Sequence, residues 1–399
     1  MAEARRPWEV LCATVLMLVA CGGDDPANPI DDEAPSSETL TDCTPEGTTA
    51  GWSFTRLGSG AKPALALGTG GTVHAAFMTE ATDGWVRYAR LSVGADAPSA
   101  VESVDAGYFY GPIDIVMGSD DQPWVLFHDH SREDQVLALR AASGSWSLRP
   151  MPNSGHDGWY NAGVLDAAGT LHTATYDPRG FAGRGVIYGA WDGSSWGIEL
   201  AAPGSFDYAG GMAIALTADG RAHIAFFDDG AGEARIASRS DDGTWDVTTI
   251  EALEGGLETG RFPDLAVGSD GETLHLVYLA RSSETQGVVR YATGVPGDFQ
   301  ITDLVEVSDF SIGFSGARDI ATLDLDSSGR PVVAVQDLSQ LLVLRIVDSG
   351  TEMLADFRAA SGIDFKQQTD VAVDEQGRVH VAWWQSGEAP GTVCHAVSG

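Results

Sequence analysis

A unit of about fifty residues recurs seven times along this 399-residue chain, and nothing else in the sequence restricts its fold so severely. Each copy carries a short apolar strand, a turn and an alternating strand. The copies read GTGGTVHAAF (68–77), GSDDQPWVLF (118–127), DAAGTLHTAT (166–175) and TADGRAHIAF (217–226), then GSDGETLHLVY (268–278), DSSGRPVVAV (326–335) and DEQGRVHVAW (374–383). A landmark position falls at His74, Trp124, His172, His223, His275, Val332 and His380, at intervals of 50, 48, 51, 52, 57 and 48. In the fourth copy, residues 212–216 are apolar and Ala218-Asp219-Gly220 supplies a hairpin turn. Strand-like runs follow at 222–227, at 234–239 and, beyond Asp241-Asp242-Gly243, at 245–250.

Four antiparallel strands per repeat are the pattern of a β-propeller blade, so the chain is expected to be all-β with seven blades. No stretch reads as a helix of useful length. Glycine, at 49 residues, exceeds its usual share of ~7%, as a chain of many tight turns requires. The last copy ends at 391–398 with its third strand and lacks a fourth. The missing pattern lies at the other end, where Gly51-Trp52-Ser53-Phe54-Thr55-Arg56-Leu57 matches Gly144-Ser145-Trp146-Ser147-Leu148-Arg149. An N-terminal strand completing the last blade closes the ring and removes an exposed sheet edge.

Arg5 and Arg6 precede an apolar run over 10–20, eleven residues long. Crossing a bilayer core takes about 20 residues, but this length suits the apolar region of a secretory signal. Leu18-Val19-Ala20-Cys21 resembles the lipobox of bacterial lipoproteins. The resemblance implies cleavage before Cys21, lipidation of its thiol and anchorage in the cell envelope. Gly22 and Gly23 stand where many lipoproteins carry an inner-membrane retention aspartate, which points to the outer membrane. Residues 22–47 hold eight acids, no base and Pro26, Pro29, Pro35 and Pro45. They have no apolar period and read as a solvated, flexible tether. The expected organisation is a signal over 1–20, a tether over 21–50 and the propeller over 51–399. With Cys12 leaving with the signal and Cys21 carrying lipid, Cys43 and Cys394 remain. They flank the proposed closure, and in an oxidising compartment they are expected to pair.

Acidic residues number 57 against 23 basic ones, a formal charge of −34. Such a field opposes nucleic acid, whose binding needs phosphate neutralisation, and disfavours direct contact with anionic lipid. Membrane association is expected through the lipid alone, and a monomer is expected.

In a propeller the loops before each first strand, and those between second and third strands, share one face. Along this chain the former carry Tyr108, Tyr110, Trp159, Tyr160, Tyr208 and Phe262, with Asp114, Asp264 and Asp370 at the start of the innermost strands. Aromatic faces beside carboxylates suit sugar rings, and these nine residues are the ligand-binding candidates. The alternative is that the aromatics plug between blades and the aspartates cap turns. The landmark histidines occupy one position per blade, too far apart around a ring to share a metal, and read as structural. His128 and His130 alternate along one strand end, and His156 lies in the loop between the second and third copies; together they form a candidate metal or acid–base cluster. Asp324-Leu325-Asp326-Ser327-Ser328-Gly329 resembles the start of a calcium loop, but Val332 and Val335 fall at its ninth and twelfth positions, where neither side chain can ligate. An ordinary hairpin turn is the expectation there, with no cofactor.

The blade pattern, with glycine turns and a tryptophan opening the fourth strand, resembles the sialidase-like or BNR-repeat propellers of bacterial secreted proteins. The resemblance spans 51–399 and is architectural. Ser240-Asp241-Asp242-Gly243-Thr244-Trp245 is shorter than that family's Asp box, and Arg261-Phe262-Pro263, similar to its arginine motif, lies in the fifth blade instead of the first. No catalytic role is carried across. The expected function is a binding module for glycan or a surface protein; polysaccharide cleavage and a scaffolding role are the alternatives.

Overall fold

The computed structural model describes residues 42–79, 84–152, 158–178, 184–204, 210–252, 258–308, 320–386 and 391–399. Seven antiparallel sheets form a closed ring in which blades one to five keep their strands in chain order. Blade one spans 61–107, blade two 109–150, blade three 162–203, blade four 212–251, blade five 258–308 and blade six 321–358. Blade seven takes three strands from 364–398 and its outer strand from Trp52–Ser59. That strand pairs with Thr392–Ser398, matching Trp52 with Ser398 and Arg56 with Cys394, as the missing-strand argument requires. A 3₁₀ turn at Thr69–Gly71 is the one helical element among the described residues. The first strands of successive blades meet around the axis.

Alternation explains the packing. In Pro331–Gln336 and its counterparts both faces are buried, one against each neighbouring blade, so the second strands read as near-continuous apolar runs. Two seams carry an identical polar clip. Glu102 of blade one accepts two hydrogen bonds from the Arg140 guanidinium of blade two, at 2.9 and 2.7 Å, and a third from Trp146 Nε1. Glu199, Arg239 and Trp245 repeat this between blades three and four, also at 2.9 and 2.7 Å from the guanidinium. Each arginine lies over a tyrosine ring, Tyr88 or Tyr188, whose hydroxyl bonds the landmark histidine, His74 or His172. The landmark histidines are thus held by strand three of their own blades. His275 pairs with Tyr291, His223 with Ser238 and His380 with His395.

The ring closure is more elaborate than a single strand. Cys43 and Cys394 form a disulfide with a Cα–Cα distance of 5.5 Å. From there the chain crosses to blade six, where Glu46–Thr48 adds a fifth strand beside Gly350–Arg358. Gly47, at φ +93°, lies so close to Asp356 that a Cβ would stand 2.3 Å from its carbonyl oxygen. The chain then returns to blade seven, and Trp52 and Phe54 pack on Phe357 of blade six. Within the range expected to be a tether, Cys43 is buried and Glu46–Thr48 belongs to a sheet. An apolar alternation test passes over this stretch because a three-residue edge strand carries too few residues to show a period. Cys21 and the signal segment lie outside the described residues.

Candidate functional site

The candidates divide into two groups. Asp114, Tyr160, Phe262, Asp264 and Asp370 line one central cavity of about 370 Å³, formed where the innermost strands converge. Its acids share one geometry. One oxygen of Asp114 accepts the N–H of Ile115, and the other accepts the N–H of Gly163 in blade three, at 2.6 Å. Asp264 reaches Leu323 of blade six and Asp370 reaches Leu65 of blade one, at 2.7 and 2.6 Å. Asp324 does the same to Val373, and its burial raises its pKa above the usual carboxylate range. Asp326 instead caps its own turn through Ser328 and Arg330, so the two acids of the calcium-like run serve different partners. These carboxylates stitch neighbouring blades around the axis. Phe262 and Tyr160 are buried, and the Tyr160 hydroxyl accepts the N–H of Gly210.

The second group lies on the same face, at the seam between blades two and three. Tyr108 stands edge-on to His130 at 4.8 Å, and both are half-buried. His130 approaches Trp159 at 6.3 Å, and His128 stacks on the Trp159 ring at 5.2 Å beneath it. The backbone of His130 donates to Tyr108 O at 2.8 Å, which ties the strand end to the incoming loop. Towards blade one, Arg132 pairs with Asp105 at 3.0 Å and with Asp129. Asp177, also buried, closes the second strand of blade three. His156 and Tyr208 lie outside the described residues, and Tyr110 is placed only as part of the strand Phe109–Met117.

Beneath the stack lies a polar interior that candidate-spotting by residue type misses. Gln135, paired with His128 in the sheet, donates to Asn161 Oδ1 at 2.9 Å and accepts from the Thr173 hydroxyl at 3.2 Å. Asn161 donates to Pro112 O and Gly158 O, and Gly158 N donates to the Thr175 hydroxyl at 2.7 Å. A Cβ on Gly158 would meet His128 Nδ1 at 2.9 Å, so glycine alone allows this loop to lie against the imidazole. His128, Gln135, Thr173 and Thr175 are all fully buried.

The repeat register shows how unusual this is. The place of Gln135 is filled by Val86, Val186, Ala234, Val289, Leu341 and Val393 in the other blades. Thr173 replaces Ala75, Val125, Ile224, Leu276, Val333 or Val381, and Thr175 replaces an aromatic residue or valine. Among the described residues, the apolar cluster at this seam holds four buried side chains, Leu126, Leu137, Leu171 and Trp191, against fourteen at the seam of blades six and seven. Burying a polar group costs free energy unless it is bonded, and a bonded one gains only about 1 kcal/mol net. A polar core at positions that elsewhere build stability therefore has to be accounted for by what it supports. It supports an imidazole pair and a half-buried tyrosine. Imidazole both donates and accepts, so the arrangement can orient hydroxyl groups or pass protons.

No protein-family model matches the chain, and no curated protein matches it. Solved structures share its form at low identity. The polysaccharide lyase Uly1 is 12% identical, with 85% of this chain and 90% of that one covered at a TM-score of 0.51. AofleA from Arthrobotrys oligospora is 13% identical, covering 82% and 93% at 0.50. The intramolecular trans-sialidase from Ruminococcus gnavus is 9% identical, covering 86% and 95% at 0.45. The first two likenesses show the propeller fold.

Proposed function

We propose that this protein recognises a glycan on the loop face of the seam between blades two and three, beside Tyr108 and His130. The carrying observation is the buried polar core of His128, Gln135, Thr173 and Thr175 at positions where the other blades are mostly apolar. It holds His130 and Tyr108 at the surface, where a ring face and two kinds of hydrogen-bonding group meet. The lipobox-like Cys21 would anchor the propeller in the cell envelope, on the outer membrane, with lipid as its membrane contact. The protein would act as a monomer and without a cofactor, and the net charge of −34 would keep it from nucleic acid. The central cavity, with its stitched carboxylates, is the lesser candidate for this role.

Calorimetry against a panel of oligosaccharides tests the reading. Wild type is expected to bind, and Tyr108→Ala and His130→Ala are each expected to weaken binding about tenfold or more, with the fold retained by circular dichroism. Binding unchanged in both variants would place recognition elsewhere. A second reading, polysaccharide cleavage, is favoured by the adjacency of His128 and His130, 5.7 Å apart between ring centroids, beside a tyrosine. Release of new chain ends from a polysaccharide, abolished by His130→Ala, would establish it.

A further inference from the structure

We propose that the central cavity is a second binding site, independent of the seam, and that it takes an aliphatic polyamine. All seven blades contribute to its wall, with Asp114, Asp264 and Asp370 coming from blades two, five and seven. Among the described residues that line it, none is basic. Lys62, next to the lining Pro63, gives its ammonium to Gly111 O at 3.2 Å. The backbone N–H groups that each acid accepts fix its position and bring no countercharge. Three carboxylates thus share one concave space with low-dielectric walls, an arrangement that concentrates cations. The volume of about 370 Å³ falls within the roughly 300–1,000 Å³ of small-molecule sites.

Thr322 of blade six points independently to a ligand. It holds the register position of the three acids: it pairs with Ala334 as Asp114 pairs with Leu126, Asp264 with Val277 and Asp370 with Ala382. Thr322 lines the cavity and is 7% exposed, and its hydroxyl has no hydrogen-bond partner. A buried polar group without a partner costs free energy, which a ligand supplying that partner removes. The acids are spread around the ring and do not converge on one point; among the described residues no three acids, histidines or cysteines could hold a metal ion. The occupant therefore has to carry its charges apart, on an apolar chain. Ammonium groups joined by methylenes do this, with donors for the carboxylates and the Thr322 oxygen and apolar contact for Ile113 and Met212.

Calorimetry on the full chain tests this with spermidine, putrescine, calcium chloride and triethylene glycol. It is run at about 0.15 M salt, where exposed charges are screened beyond roughly 8 Å. Spermidine is expected to fill one site per chain, about tenfold tighter than putrescine, which carries one ammonium fewer. Triethylene glycol and calcium, at equal concentration, are expected not to displace it. Asp264→Asn is expected to weaken the site about tenfold. Ala162→Leu keeps every acid and adds bulk at a half-buried position of the cavity wall, and a similar loss is expected. This second variant tests occupancy even if losing the Asp264 bond to Leu323 unfolds the ring. No spermidine site, equal binding of putrescine, displacement by calcium or by triethylene glycol, or binding unaltered in Ala162→Leu would each overturn the proposal. The last result would assign the binding to surface attraction by a protein of net charge −34.

Discussion

Between blades six and seven, Trp52, Phe54, Phe357 and Trp383 interlock around the Cys43–Cys394 bridge. The equivalent space between blades two and three holds His128, Gln135, Asn161, Thr173 and Thr175. Both seams are made by the same strands of the same repeat. One joins the chain's two ends and is filled with aromatic surface and a covalent link. The other carries a polar interior. Packing and a covalent bond hold the returning N-terminal segment at the first seam, so chemistry can be concentrated away from the closure.

Substitutions can break that contrast. Trp383→Ala, at a fully buried ring, is expected to cost about 3–5 kcal/mol in denaturant unfolding while leaving ligand binding unchanged in the folded protein. Reduction, or Cys43→Ser, is expected to cost about 2–4 kcal/mol, because the bridge closes a long loop in the unfolded chain. Denaturation curves with and without reductant measure it, and coincident curves would refute the closure's role.

Acid should act on the landmark histidines. Burial, with help from Arg90, lowers His74 to about 4, and burial with Arg221 lowers His223 to about 4. The unfolded chain then binds more protons than the native one between about pH 6.5 and pH 4. Stability is full above that window and is lost as pH falls through it, on the order of 1–3 kcal/mol per site. His223→Gln should flatten the dependence of the urea midpoint on pH, and an unchanged slope would exclude this origin. The clips are expected to matter less. Glu199→Gln removes a charge-assisted pair about one-third exposed, and a loss of roughly 1 kcal/mol is expected in thermal unfolding.

One pair of substitutions carries the sharpest functional effect. Gln135→Leu with Thr173→Val installs the Leu341 and Val333 pattern of blade six. Gln135 and Thr173 lose each other together, but Asn161 Oδ1 loses its Gln135 donor, so a cost of about 1–3 kcal/mol is expected while oligosaccharide binding is lost. Binding retained in this double variant would show that the polar core supports nothing on the loop face.

The ring was legible because its evidence is local. The strand ranges of the fourth copy differ from those observed by at most one residue, and the unpaired last strand pointed to Trp52–Ser59. The site was legible in part. Tyr108, His128, His130 and Trp159 were singled out by type, and they do meet. Gln135, Thr173 and Thr175 were passed over because glutamine and threonine are ordinary strand residues; aligning the copies position by position would have exposed them. Asp114, Asp264 and Asp370 were recognised as equivalent, but their reach into the next blade could not be read from the chain.

By itself the sequence determined the number of blades and the strand that completes the last one, and it pointed to the pairing of Cys43 with Cys394. Those follow from the repeat period, from alternation and from where the two cysteines flank the closure. Only the tertiary structure decided which side chains meet across a seam, that residues 46–48 lace blade six to blade seven, and that the axial acids bind blades together. Such contacts depend on how far each blade is rotated against the next, and that angle emerges from the packing of the whole ring.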